Sequence, residues 1–157
     1  MNHEAHEGLK ANPAGASHPA HLGTFVSFVI FVVSIVVSLA AAASVWDGVY
    51  TEEQAKRGQA LYMERCVHCH GPTLAGIDAA AALTGSTFNG NWNGVTLDLM
   101  LDRVRTTMPV DKPSSLSRQQ VADVLSFVFS ANKFPAGQTE LPRQAEMLSL
   151  IQFKATK

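Results

Sequence analysis

Hydrophobic and polar positions divide this chain into an N-terminal polar tail, a long apolar run and a mixed remainder. Met1 to His21 carries Glu4, Glu7, Lys10, two prolines and four histidines (His3, His6, His18, His21) and shows no apolar period. Residues 1–21 therefore read as a flexible tail. The histidines could bind a metal weakly, but a solvated tail is the simpler reading. From Ala11 through Trp46 there is no Asp, Glu, Lys or Arg, and Leu22 to Val45 is almost wholly apolar. At about 1.5 Å per residue, about 20 residues cross the hydrocarbon, so 22–45 suffices for a single transmembrane helix. A cleaved export signal ending at Ala41-Ala42-Ala43 is the alternative. The small residues before Ser44 suit it, but the apolar run exceeds the usual length of about 7–15 and the segment before it is scarcely basic. The pattern favours a retained anchor.

Beyond Trp46 the apolar positions recur at helical spacing. Thr51-Glu52-Glu53-Gln54 reads as a capping box that opens a helix running to about Cys66. Ala55, Gly58, Tyr62 and Cys66 mark its inner face. A glycine in mid-helix costs about 1 kcal/mol relative to alanine, which points to a second helix crossing closely over Gly58. Gly71 to Gly94, rich in Gly, Ala, Asn and Thr, has no sustained period and reads as a loop. Thr96 caps a helix with Leu97, Met100, Leu101 and Val104 on one face. That helix stops near Thr106, because Pro109 disfavours helical geometry at Met108. A last major helix begins at Ser117, with Ser117 and Gln120 as a capping box and Leu116 and Val121 as a hydrophobic staple. Its stripe is Val121, Val124, Leu125 and Val128, with Phe127 and Phe129 beside it, and Asn132 and Pro135 end it. Met147, Leu148, Ile151 and Phe153 form an amphipathic fragment in residues 138–157, read as an extension packed over the core. No β-pattern or internal repeat stands out, so the class is all-α, with a domain over 46–137.

Charge excludes one class of partner. Residues 47–157 keep 11 of the 12 basic residues and 11 of the 13 acidic ones. No basic stripe remains to neutralise phosphates, which argues against nucleic acid. Docking to another protein then need not depend on one strongly basic face.

The chemistry is concentrated in Cys66-Val67-His68-Cys69-His70. C-x-x-C-H is the attachment sequence of c-type haem. Two thiols on one turn can each add to a vinyl group of one porphyrin, and the histidine that follows lies under the iron as proximal ligand. Zinc and a thioredoxin-like dithiol are the alternatives. Zinc needs about four ligands, yet these are the chain's 2 cysteines, and no βαβ context suits a redox dithiol. Neither accounts for His70. Because c-type haem is attached outside the cytoplasmic membrane, the domain is expected on the periplasmic side.

The other axial position narrows to Met108. Met1 and Met147 lie in the tails, Met63 precedes the attachment site on the same helix, and Met100 falls on a packed face. Met108 sits in a loop fixed by proline between two helices that flank the haem. His68 points away from a ring held by Cys66 and Cys69. A His/Met pair raises the reduction potential and leaves no site for a small-molecule substrate, so the expected role is one-electron transfer rather than catalysis. An open distal face that binds a gas or peroxide is the competing reading. Trp92, between Asn91 and Asn93, is either a core aromatic or an indole N–H donor to a haem propionate.

With these residues in hand, the chain resembles class I cytochromes c, and more closely the bacterial single-haem cytochromes associated with quinoprotein alcohol dehydrogenases. The likeness runs from about Val45 to Phe153, through Val45-Trp46-Asp47-Gly48-Val49-Tyr50, Arg57-Gly58, Cys66 to Gly71, Leu83-Thr84-Gly85, Asn91-Trp92-Asn93-Gly94, Thr106-Thr107-Met108-Pro109 and Phe134-Pro135-Ala136-Gly137. It implies first and last helices crossing near a glycine and an aromatic, here Gly58 or Tyr62 against Phe127, where relatives usually carry tyrosine. It implies a proline at Ala81, whose carbonyl accepts the proximal histidine's Nδ1 proton; alanine offers the same carbonyl on a less rigid backbone. It also implies redox protein partners, a dehydrogenase upstream and a terminal oxidase or respiratory complex downstream, or a place as haem subunit within such a complex.

Overall fold

The computed structural model describes residues 43–78 and 80–157. The expected tail, and the apolar segment as far as residue 42, lie outside the described residues. Among the described residues the order is β1 (Ala43–Ser44), a 3-10 turn (Val45–Asp47), α1 (Glu52–Arg65), α2 (Val67–His70), α3 (Gly85–Trp92), α4 (Leu97–Thr107), α5 (Arg118–Ala131), α6 (Ala145–Leu148) and β2 (Ile151–Gln152). No helix among them is long and apolar enough to cross a membrane.

The frame is the crossing of α1 over α5. A Cβ built on Gly58 would lie 1.8 Å from the Asp123 carbonyl oxygen, so only a glycine lets the two backbones approach this closely. One turn on, Tyr62 packs against Phe127 with ring centroids 5.2 Å apart. Burial follows the apolar stripes: Ala55 and Tyr62 on α1, Leu97, Met100 and Leu101 on α4, and Val121, Val124, Leu125, Val128 and Phe129 on α5. The Ser117–Gln120 capping box forms in full, and both Leu116 and Val121 are buried.

Several features depart from the sequence reading. Thr51 caps α1 by accepting from the Gln54 N–H at 3.1 Å, but Gln54 does not close the box. Its amide is buried instead against the chain's far end, donating to Leu141 O at 3.1 Å and accepting from Leu141 N–H at 2.6 Å. Residues 85–92, read as loop, are α3. Asn132 holds that helix in place: its Oδ1 accepts from Gly85 N–H at 3.2 Å and its Nδ2 donates to Leu83 O at 2.8 Å. Finally, the expected all-α architecture includes a parallel strand pair, β1 with β2, in the register Ala43↔Ile151 and Ser44↔Gln152. Two-residue strands fall below any detectable alternation.

The extension at 138–157 completes the core. Leu141, Leu148 and Phe153 are almost wholly buried. Phe153 stands between Phe134 at 5.2 Å, Phe88 at 5.8 Å and Phe129 at 6.0 Å. Met147, expected on the apolar side of this fragment, points outward and is 54 % exposed.

A polar clasp fastens the same strap to the helix crossing. Asp123, 8 % exposed, accepts from Gln54 Nε2 at 3.1 Å, Gln119 Nε2 at 2.9 Å and Arg57 Nη2 at 3.2 Å. Arg57 also reaches Glu140 at 2.8 Å, and these two carboxylates, Asp123 first, push its guanidinium pKa up further. Asp123→Ala takes a buried acceptor from all of these donors, although Gln54 keeps Leu141 O and Arg57 keeps Glu140. It is expected to cost about 2 kcal/mol, read as a lower denaturant midpoint with an unchanged slope.

Candidate functional site

The site is local at its root. Cys66 ends α1 with its N–H donating to Tyr62 O at 2.9 Å, and α2 then carries Val67 to His70 as one turn. That turn places Cys66 and Cys69 three residues apart on one side. Neither cysteine is in a disulfide; Cys66 is half-buried and Cys69 exposed. Burial pushes the Cys66 thiol up to about 11, the nearby Cys69 sulfur adding to the rise and Arg65 opposing it. His68 between them is exposed.

The loop after the motif folds back beneath it. Gly76 N–H donates to His70 O and Ile77 N–H to Cys69 O, both at 3.0 Å, and Leu83 N–H closes the loop on Leu74 O at 2.8 Å. Gly76 adopts φ +80°, and a Cβ there would lie 2.3 Å from Ala80 O. This closure brings the Ala81 carbonyl 2.8 Å from His70 Nδ1. A carbonyl can only accept, so Nδ1 carries the proton and Nε2 keeps its lone pair for a metal. The bond expected from the resemblance is therefore present, with alanine in the usual proline's place.

Tyr62 anchors the motif from the other side, its hydroxyl donating to Gly71 O at 2.6 Å. The side chain is fully buried. Burial, with a smaller contribution from the Cys66 sulfur, pushes the phenol up to about 12. Because the folded pKa lies above the ordinary 10.0, the folded state holds this proton more tightly than the unfolded chain does. Its stabilising contribution is full below pH 10.0 and is lost as pH rises toward about 12. Tyr62→Phe is expected to cost about 1–2 kcal/mol at neutral pH and to flatten that alkaline loss, as denaturant midpoints across the range report.

Met108 lies just past α4 with extended backbone, φ −122° and ψ 150°, and is half-buried. Its N–H donates to Val104 O at 2.8 Å, and Ser114 N–H folds the following loop back on Arg105 O at 3.0 Å. Of the other described methionines, Met100 is buried in the core, while Met63 and Met147 are exposed. Trp92 ends α3, half-buried, with its ring 6.5 Å from Phe88. Arg105 was not singled out from sequence. It extends the buried Leu97–Leu101 stripe by one turn, and its Nε is buried without a hydrogen-bond partner among the described residues. An arginine at a stripe position was the available signal.

These residues fit a haem. Two thiols stand on one turn, an imidazole has its Nδ1 engaged and Nε2 available, a thioether sits in a loop, and a buried guanidinium N–H suits an acidic group. No group of three or more His, Cys, Asp or Glu side chains placed to hold a bare metal ion occurs among the described residues. Residues 53–128, just under half of the chain, match the family model described as "Cytochrome C oxidase, cbb3-type, subunit III". No curated protein and no solved structure gives a significant match. The family match supports a class I c-type cytochrome domain with one covalently attached haem c, serving electron transfer.

Proposed function

We propose that this c-type cytochrome domain is a one-electron carrier whose haem iron is held between His70 and Met108. The observation that carries the reading is the His70 Nδ1–Ala81 O bond of 2.8 Å, which orients the ring and leaves Nε2 for iron. Cys66 and Cys69 would hold the haem covalently, each thiol adding across a vinyl group with its hydrogen going to the vinyl carbon. The bound haem supplies an iron that cycles between two oxidation states. The chain's own residues set the conditions: His70 and Met108 would hold the iron, and Tyr62 and the 71–83 loop keep the attachment turn in place. Trp92 and Arg105 offer N–H donors to propionates. Held by both side chains, the iron would offer no position to exogenous ligands or small substrates. The test is carbon monoxide added to the reduced native protein. Inertness with a one-electron redox titration is expected, and rapid binding would establish an open distal face instead.

The domain works on the periplasmic side, where c-type haem is attached, and the apolar segment before Ala43 anchors it, Ala43 to Val45 being part of the fold. Cleavage between Ala43 and Ser44 would cut within β1 and remove the Ala43↔Ile151 pair, which supports retention of the segment. The matched family is named for an oxidase subunit. That favours a place in, or beside, a membrane respiratory complex as electron acceptor. The sequence blocks shared with dehydrogenase-associated cytochromes favour a quinoprotein dehydrogenase as donor. Co-purification from detergent-solubilised membranes is expected to recover an oxidase or dehydrogenase with the chain.

A further inference from the structure

In sequence, the apolar run continues into the first residues of the fold. Ala43 already pairs with Ile151 and Ser44 with Gln152, Val45 is fully buried, and the apolar stretch from Leu22 ends in these same residues. If that stretch is a membrane anchor, the surface around Ala43 is held close to the bilayer, because each residue of chain adds at most about 3.5 Å.

The side chains at that end suit lipid. Leu150, next to Ala43's partner Ile151, is 63 % exposed, and Met147 on the same turn is 54 % exposed. Exposed apolar side chains need no explanation singly, but these two sit together beside the chain's entry point. Trp46 directly follows the apolar run, is half-buried, and donates its indole N–H to Lys154 O at 3.0 Å. An amphipathic ring in that position suits the headgroup level. The Asp47 carboxyl is held below the usual range chiefly by the Ser44 N–H and hydroxyl, and further by the positive charges of Lys154 and Lys157. The backbone of Lys154 is bonded to Trp46 at this same end, and Lys157 follows three residues later. Asp47 and Glu146 oppose them in charge, and Asp47 is already engaged by Ser44 at 2.7 Å.

We propose that Met147, Leu150, Trp46, Lys154 and Lys157 form a face that seats on a bilayer containing anionic phospholipid. The apolar side chains enter the interface and the lysines meet lipid phosphates. The inference rests on the anchor reading and adds an orientation to it. A domain seated this way does not swing on a tether. It holds one attitude to the membrane, and its redox partner lies in or on that membrane.

Both native thiols are consumed as thioethers, so one introduced cysteine is the sole site for a nitroxide label. Full-length holoprotein labelled at Leu150→Cys or, for comparison, at Val110→Cys in the loop after Met108 (72 % exposed) is reconstituted into phosphatidylcholine–phosphatidylglycerol vesicles. The label at position 150 is expected to be several-fold less accessible to a water-soluble nickel chelate than the label at 110, and more accessible to oxygen. Equal nickel access at both positions in protein that floats with the vesicles overturns the seating and leaves the anchor standing. Protein that fails to float overturns the anchor, and the seating with it.

Discussion

Met108→Ala is expected to keep the haem covalently bound while lowering the reduction potential by about 0.2 V, within the range of about 0.8 V that axial ligands span. On the proposed reading attachment depends on Cys66 and Cys69, which the substitution does not touch. A thioether ligand is soft and neutral and favours reduced iron, so losing it from the proposed ligand pair would remove that preference. Carbon monoxide, to which the native protein is expected to be inert, is expected to bind the reduced variant. Met108 belongs to a loop anchored at both ends, by its own N–H on Val104 O and by Ser114 N–H on Arg105 O. The backbone should therefore keep its course when the side chain shortens. An unchanged potential and spectrum would remove Met108 from the iron.

Gly58→Ala is expected to cost about 3 kcal/mol or more and to lower the melting temperature by about 10 °C. Two effects oppose each other. Alanine gains about 1 kcal/mol of helix propensity over glycine. Against this, the new Cβ would meet Asp123 O at 1.8 Å and Asp123 C at 2.4 Å. The obstacle is backbone, which cannot rotate aside as a side chain can, so α1 and α5 must separate and disturb the clasp centred on Asp123. The clash wins. Gly90→Ala in α3 provides the contrast: a Cβ there meets no protein atom within 4 Å, so the change is expected to be neutral or to stabilise by up to about 1 kcal/mol. Similar melting temperatures for the two variants would show that the crossing tolerates a methyl group.

What was legible in the chain is what neighbouring residues determine among themselves. The haem-attachment turn is five contiguous residues, and its chemistry needs no distant partner. The boundaries of α1, α4 and α5 followed from apolar spacing, the Ser117–Gln120 box and the proline after Met108, all interactions within a turn or two. Gly58 was readable because a glycine inside a helix is costly unless something passes over it.

The rest was decided by closure. Gln54 is a good capping residue by local rules, yet its amide is recruited by Leu141, 87 residues away. Residues 85–92 have weak helical propensity and two large apolar positions, Phe88 and Trp92. They form α3 because Asn132 secures their start and Phe153 covers Phe88. β1 and β2 exist only because opposite ends of the domain meet, and the Ala81 carbonyl reaches His70 only because Gly76 turns the loop beneath it. The sequence by itself determined the attachment motif and the principal helices, since both depend on short spacings. Only the tertiary structure decided how His70 is oriented, which residues enclose the core and which face surrounds Ala43, because each depends on groups far apart in the chain being brought into contact.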